Sequence, residues 1–126
     1  MEGDACMDKF EQMNNRMETA PILAIDQHSE WFSLPINDND YWLIVLKANS
    51  KGQVPTHITY DISNVSTIDI TVLNKGKLVA GPQTTMAFRN NIRETIDISD
   101  RTIGDTLVVK MHNSSGTATC YALSFQ

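Results

Sequence analysis

Cysteine is scarce in this chain, with two among 126 residues, Cys6 and Cys120 near opposite ends. Neither has the neighbouring Cys or His that a zinc site requires, so that kind of metal centre is excluded. Basic residues are also few: ten Lys and Arg, scattered singly, face fifteen Asp and Glu for a net charge of -5. A nucleic-acid partner, which needs clustered cations, is therefore not expected. No apolar run approaches the roughly 18 residues that span a bilayer, and no basic stretch followed by an apolar core opens the chain. Either the protein is cytosolic or its export signal has been removed. Nucleophile motifs are missing as well: His28, His57 and His112 stand without a glycine-flanked serine, so no catalytic activity is expected.

What is present is a globular composition, 41% hydrophobic and 20% charged, in a length that suits one domain around one core. Residues 4–17 differ from the rest. Cys6, Phe10, Met13 and Met17 recur at helical spacing, and Glu2, Asp4 and Asp8 sit where a helix dipole favours acids. The pattern predicts a short amphipathic helix ended by Pro21, so residues 1–20 read as a helical strap and residues 21–126 as a β-sandwich.

From Ile22 on, short β-branched and aromatic runs alternate with turn residues. Strands are expected over Ile22–Asp26, Glu30–Ile36, Tyr41–Asn49, Thr56–Ile62, Thr67–Asn74, Lys77–Ala80, Ile92–Ile98, Asp105–His112 and Thr117–Phe125. Ile58, Tyr60 and Ile62 share one face against His57, Thr59 and Asp61, and Ile68, Ile70 and Val72 repeat the alternation against Asp69 and Thr71. Tyr41–Ala48 is apolar on both faces and reads as a central, doubly covered strand. Asn113-Ser114-Ser115-Gly116 reads as the turn of a final hairpin. The fold class is all-β: a two-sheet antiparallel, jelly-roll-like sandwich with one short N-terminal helix.

Three constellations are candidates for function. Asn37-Asp38-Asn39-Asp40 is the densest oxygen-donor cluster, and Asn37, Asp38 and Asp40 are the candidate ligands of a calcium ion; the other reading is a polar turn bonded to itself. Trp31, Tyr41 and Trp42 are the candidate ligand-binding aromatics, the residue type that serves sugars and protein hot spots. Tyr41 and Trp42 are adjacent in a strand, so at most one of them joins the core. Cys6 and Cys120, if bonded, tie the N-terminal segment to the last strand; otherwise they are two free thiols.

The second half resembles the bacterial pre-peptidase C-terminal domain. The likeness lies in Ile68-Asp69-Ile70-Thr71-Val72-Leu73, the turn Asn74-Lys75-Gly76-Lys77 and the return Leu78-Val79-Ala80, then in Glu94-Thr95-Ile96-Asp97-Ile98, Gly104, Thr106–Met111 and Tyr121-Ala122-Leu123-Ser124-Phe125. That family usually carries a tighter acidic pair in the strand matched by Ile68–Leu73. The resemblance implies a secreted or periplasmic accessory module, its signal peptide absent from this chain, that has no catalysis of its own and binds a polysaccharide, a matrix protein or a partner protein. A small enzyme inhibitor, or a structural subunit of a surface assembly, are the other function classes that suit the size and acidity.

Overall fold

The computed structural model describes residues 6, 15–25, 29–63, 65–87, 92–99 and 102–126. Eight strands follow one another: β1 (Phe32–Leu34), β2 (Asn39–Val45), β3 (His57–Ser63), β4 (Ser66–Asn74), β5 (Lys77–Ala87), β6 (Ile92–Asp97), β7 (Thr106–Asn113) and β8 (Thr119–Phe125). They form two four-stranded antiparallel sheets, β1-β8-β3-β6 and β2-β7-β4-β5. That order is the two-sheet jelly roll. Only β4 and β5 are both consecutive and paired; every other link between successive strands crosses from one sheet to the other.

The single hairpin has a clear local cause. Asn74 pairs with Lys77, leaving the two-residue turn Lys75-Gly76, and both turn residues have positive φ, 54° and 79°. That is the turn whose twist matches the flanking strands. Further along β5, the register shifts after Ile70, and Gly81 lies at φ 87° against β4. A Cβ there would meet the Ile70 carbonyl oxygen at 2.5 Å, so only glycine allows this approach.

The core fills the space between the sheets. Trp42, Ile44, Ile68, Ile70, Val72, Leu107, Val109 and Met111 face Leu34, Ile58, Tyr60, Ile62, Tyr121 and Leu123, all fully or almost fully buried. The period-2 alternation read from β3, β4, β7 and β8 therefore places the core-facing set correctly.

Several expectations are corrected. Among the described residues the only helix is one 3-10 turn, Met17–Thr19, and Met17 is 40% exposed instead of packed on an apolar face. The remainder of the helix expected over residues 4–17 lies outside the described residues, apart from Cys6 and residues 15–16. The strand over Ile22–Asp26 is reduced to a single parallel bridge between Ile22 and Leu43. β7 and β8 are not a hairpin, because they belong to opposite sheets. Nor is β2 central: it ends its sheet, its edge carrying, among the described residues, the one bridge at Ile22, and its second apolar face looks outward.

The face of β3 expected to be wet is also buried. Thr59, Asp61 and Ser63 are 3%, 4% and 1% exposed, and Cys120 and Ala122 beside them on β8 are equally covered. Cys6 lies on this side, bonded to Cys120 with a Cα–Cα distance of 5.9 Å. Asp61 is neutralised from the neighbouring strand by Arg93, whose Nε donates at 2.7 Å, and Thr59 accepts from Gln126 Nε2. Thr59 and Asp61 are thus tolerated under cover because each finds a partner.

Candidate functional site

The β1–β2 turn carries the acidic cluster. Asn37 sits in the left-handed region at φ 60°, a conformation that Asn tolerates, and the Asp38 N–H closes the turn onto the Pro35 carbonyl at 3.1 Å. Beyond it the chain enters β2, whose alternation turns Asp40, Trp42 and Ile44 inward and Asn39, Tyr41 and Leu43 outward. Asn37 is exposed, Asp38 half-buried and Asp40 fully buried. Among the described residues no three His, Cys, Asp or Glu side chains gather as a metal cluster.

Asp40 ends a hydrogen-bonded chain through the core. The Trp42 indole N–H donates to the Tyr121 hydroxyl, and that hydroxyl donates to Asp40 Oδ2 at 2.6 Å. Phe32 stacks alongside, its ring centroid 4.3 Å from that of Trp42 and 5.6 Å from that of Tyr121. Burial pushes the Asp40 carboxyl up to about 8; the Tyr121 bond opposes this, and the charge and contact of Asp38 add to it.

The three aromatics singled out in the sequence do not form one surface. Trp42 is 1% exposed and belongs to the core, so its assignment as a ligand-binding residue is corrected: β2 pleating points it between the sheets. Trp31 is half-buried and leads into β1, in the opposite sheet from Tyr41. Tyr41 alone faces outward on β2, half-buried, with the Lys110 ammonium 5.9 Å from its ring centroid.

Tyr41 belongs instead to a surface that was not legible beforehand, the outer face of the β2-β7-β4-β5 sheet. The strand registers align Leu43 with Val108, Val108 with Leu73 and Leu73 with Leu78, and the bridge adds Ile22 beside Leu43. An apolar row thus crosses the whole sheet and is open at both ends, Ile22 being 70% and Leu78 56% exposed. The next row is Tyr41, Lys110 and Thr71, and the one beyond it Asn39, His112, Asp69 and Thr84. There the His112 Nδ1–H donates to Asn39 Oδ1 at 2.7 Å, and the Thr84 hydroxyl donates to Asp69.

A second concavity, a cleft of about 450 Å³, opens where the 46–56 loop meets the end of β8. Ile25, Val54, Pro55 and Phe125 floor it. Asn49 organises the rim, its Oδ1 accepting from the N–H groups of Lys51 and Gln53 at 2.9 and 3.0 Å. Of the histidines, His57 bonds the Thr56 hydroxyl and His112 bonds Asn39, so among the described residues neither ring serves a serine or cysteine; His28 lies outside them. Asn113 is wholly buried, its amide donating to the Leu34 and Thr117 carbonyls.

Fold and surface together define an eight-stranded jelly-roll module with an outward-facing sheet of mixed apolar and polar rows. No family model matches the chain, and no curated protein does. Among solved structures it is similar to the pre-peptidase C-terminal domain of a collagenase from Bacillus anthracis, at 14% identity, with a TM-score of 0.56 over 90% of this chain and 100% of the other. The resemblance found in the strand pattern of the second half thus extends to the fold of nearly the whole chain. No helix among the described residues is long and apolar enough to cross a membrane, and the Cys6–Cys120 disulfide is a bond of oxidising compartments.

Proposed function

We propose that this protein is an exported, non-catalytic binding module that holds a polysaccharide or an extended protein through the outer face of its β2-β7-β4-β5 sheet. The observation that carries this reading is the apolar row from Ile22 to Leu78, aligned across every strand of the outer sheet face, exposed at its two ends and buried at Val108 in its middle. A single exposed apolar residue is ordinary on a surface, but a contiguous row bordered by an aromatic and by hydrogen-bonding side chains is the composition of a recognition patch. The fold shared with an accessory domain of a secreted-type enzyme supports the same reading.

The test is a co-sedimentation assay with insoluble polysaccharides and fibrous matrix proteins, run on the natural sequence and on Tyr41→Ala and Leu78→Ser. Retention by one polymer that drops at least tenfold in both variants supports the proposal. No retention across the panel, or retention that both variants keep, sinks it.

A further inference from the structure

The walls of the cleft at the end of β8 are fixed by backbone hydrogen bonds. On one side the 46–56 loop is closed on itself: the Asn49 N–H donates to the Gln53 carbonyl at 2.8 Å, the Gly52 N–H donates to the Asn49 carbonyl at 2.9 Å, and Asn49 Oδ1 accepts from the Lys51 and Gln53 N–H groups. On the other side the Thr56 and His57 N–H groups both donate to the Gln126 carbonyl, at 2.9 and 2.8 Å, which holds the end of β8 in place. The space between them, about 450 Å³, falls within the range of about 300–1,000 Å³ that small-molecule sites occupy. Its floor is apolar, with Ile25 and Pro55 buried and Phe125 half-buried. Its rim is polar and carries the exposed Lys51. In a chain of net charge -5, no Asp or Glu side chain among the described residues lines the cleft, and Lys51 has no ion-pair partner among them.

We propose that this cleft takes one carboxylated sugar unit, a uronate, of an acidic glycan. A pyranose ring presents a face of C–H groups that an apolar or aromatic surface covers, and a rim of hydroxyls that side-chain amides satisfy. Phe125, Val54 and Pro55 offer the first, and Asn49 and Gln53 the second. Because Asn49 Oδ1 is already occupied by two N–H groups, the Asn49 amide offers a ligand its Nδ2 donors. Lys51 supplies the charge: an ammonium on the rim, with no carboxylate side chain competing for it, favours an anion over a neutral sugar of the same shape. The polar rim selects a hydroxyl-bearing anion over a fatty carboxylate, whose tail would strip water from those amides without replacing their hydrogen bonds. With both walls already held, little is ordered on binding. None of the apolar row from Ile22 to Leu78 lines the cleft, so the outer sheet face and the cleft bind separately.

The experiment titrates the whole isotope-labelled chain with short oligomers of galacturonate, mannuronate and glucuronate, with their uncharged counterparts and with octanoate, following backbone amide shifts by NMR at low salt. At least one uronate oligomer binds with a Kd on the order of 1 mM, the strength a ligand of one or two rings can reach. It moves the amides of Lys51, Gln53 and Gln126 and leaves those of Tyr41 and Leu78 in place, and its uncharged counterpart binds more weakly. Lys51→Gln weakens binding about fivefold, the scale of one exposed charge contact, whereas Lys51→Arg keeps it within about twofold. Lys51 is exposed, so neither change threatens the fold. Tyr41→Ala and Leu78→Ser leave this binding unchanged, which separates it from recognition by the outer sheet face. No shift of the cleft amides with any uronate oligomer at about 10 mM, well above the expected Kd, overturns the proposal. So does binding that Lys51→Gln leaves intact, or binding that the uncharged sugar or octanoate matches.

Discussion

Trp42 and Tyr121, 79 residues apart, meet in the middle of the sandwich, the indole N–H donating to the phenol oxygen at 2.5 Å. One stands on β2 and the other on β8, so the bond ties the two sheets together, and the phenol passes its own hydrogen on to Asp40. Replacing Tyr121 with Phe removes the acceptor of the buried Trp42 indole N–H and the donor to the buried Asp40 carboxyl. The expected loss is about 2–4 kcal/mol, in line with stranding two polar groups, read from urea unfolding with a blue or red displacement of Trp42 emission. In a double-mutant cycle, Tyr121→Phe and Asp40→Asn should couple and not add.

Asp40 also sets a pH dependence opposite to that of most acidic groups. Its folded-state pKa of about 8 lies above the ordinary 3.8, so the native state binds this proton more tightly than the unfolded chain. The contribution to stability is complete below about pH 4 and lost as pH rises through about 8. The midpoint of the natural sequence falls between those values. Asp40→Asn, which cannot ionise, flattens the fall; an unchanged slope in that variant refutes the assignment.

The Cys6–Cys120 bond closes a loop with a sequence separation of 114. In the chain-entropy picture such a loop contributes about 4–5 kcal/mol, and typical losses on removing a native disulfide are about 2–5 kcal/mol. Reductant, or the paired change of Cys6 and Cys120 to Ser, should lower the melting midpoint by about 8–20 °C. A midpoint indifferent to reductant would show that the bond carries no stability.

Asn113 organises the link from β7 to β8. Its amide donates to the Leu34 and Thr117 carbonyls, while its Oδ1 accepts from the Ser115 N–H and from the Ser115 and Ser66 hydroxyls. Asn113→Ala strands several buried partners at once, and a loss of about 2–4 kcal/mol is expected; Asn113→Asp is destabilised too, because even a protonated carboxyl offers one donor where the amide offers two. Calorimetry of the two variants checks this.

The sequence carried the strands well because their cause is local. Ile58, Tyr60 and Ile62 announce their core face by period alone, and Asn74-Lys75-Gly76-Lys77 announces its hairpin by turn chemistry. Lys77–Ala80 was expected as a short strand, yet β5 continues to Ala87 through Gly81 and Pro82, because on an edge the N–H that proline lacks is not required. What stayed hidden depends on pairing between distant segments. Asn113-Ser114-Ser115-Gly116 looks like any hairpin turn, and only the placement of β8 beside β1 and β3 makes it a corner between sheets. Which of Trp42 and Tyr41 joins the core stayed hidden for the same reason: the two are indistinguishable until the second sheet covers one of them. The row from Ile22 to Leu78 unites five separated segments, and no window of sequence contains it.

The position of β8 has a bearing on how the chain reaches its native state. The last strand in order is wedged between β1 and β3, near the middle of its sheet. Without β8, β1 has no neighbour in its sheet and β3 has only β6. Apart from the β4–β5 hairpin, no strand pairs with the one just before it, so the contacts are mostly long-range in sequence. Joining β1 to the rest of its sheet therefore waits on the segment furthest along the described chain, so damage to β8 unfastens two strands at once.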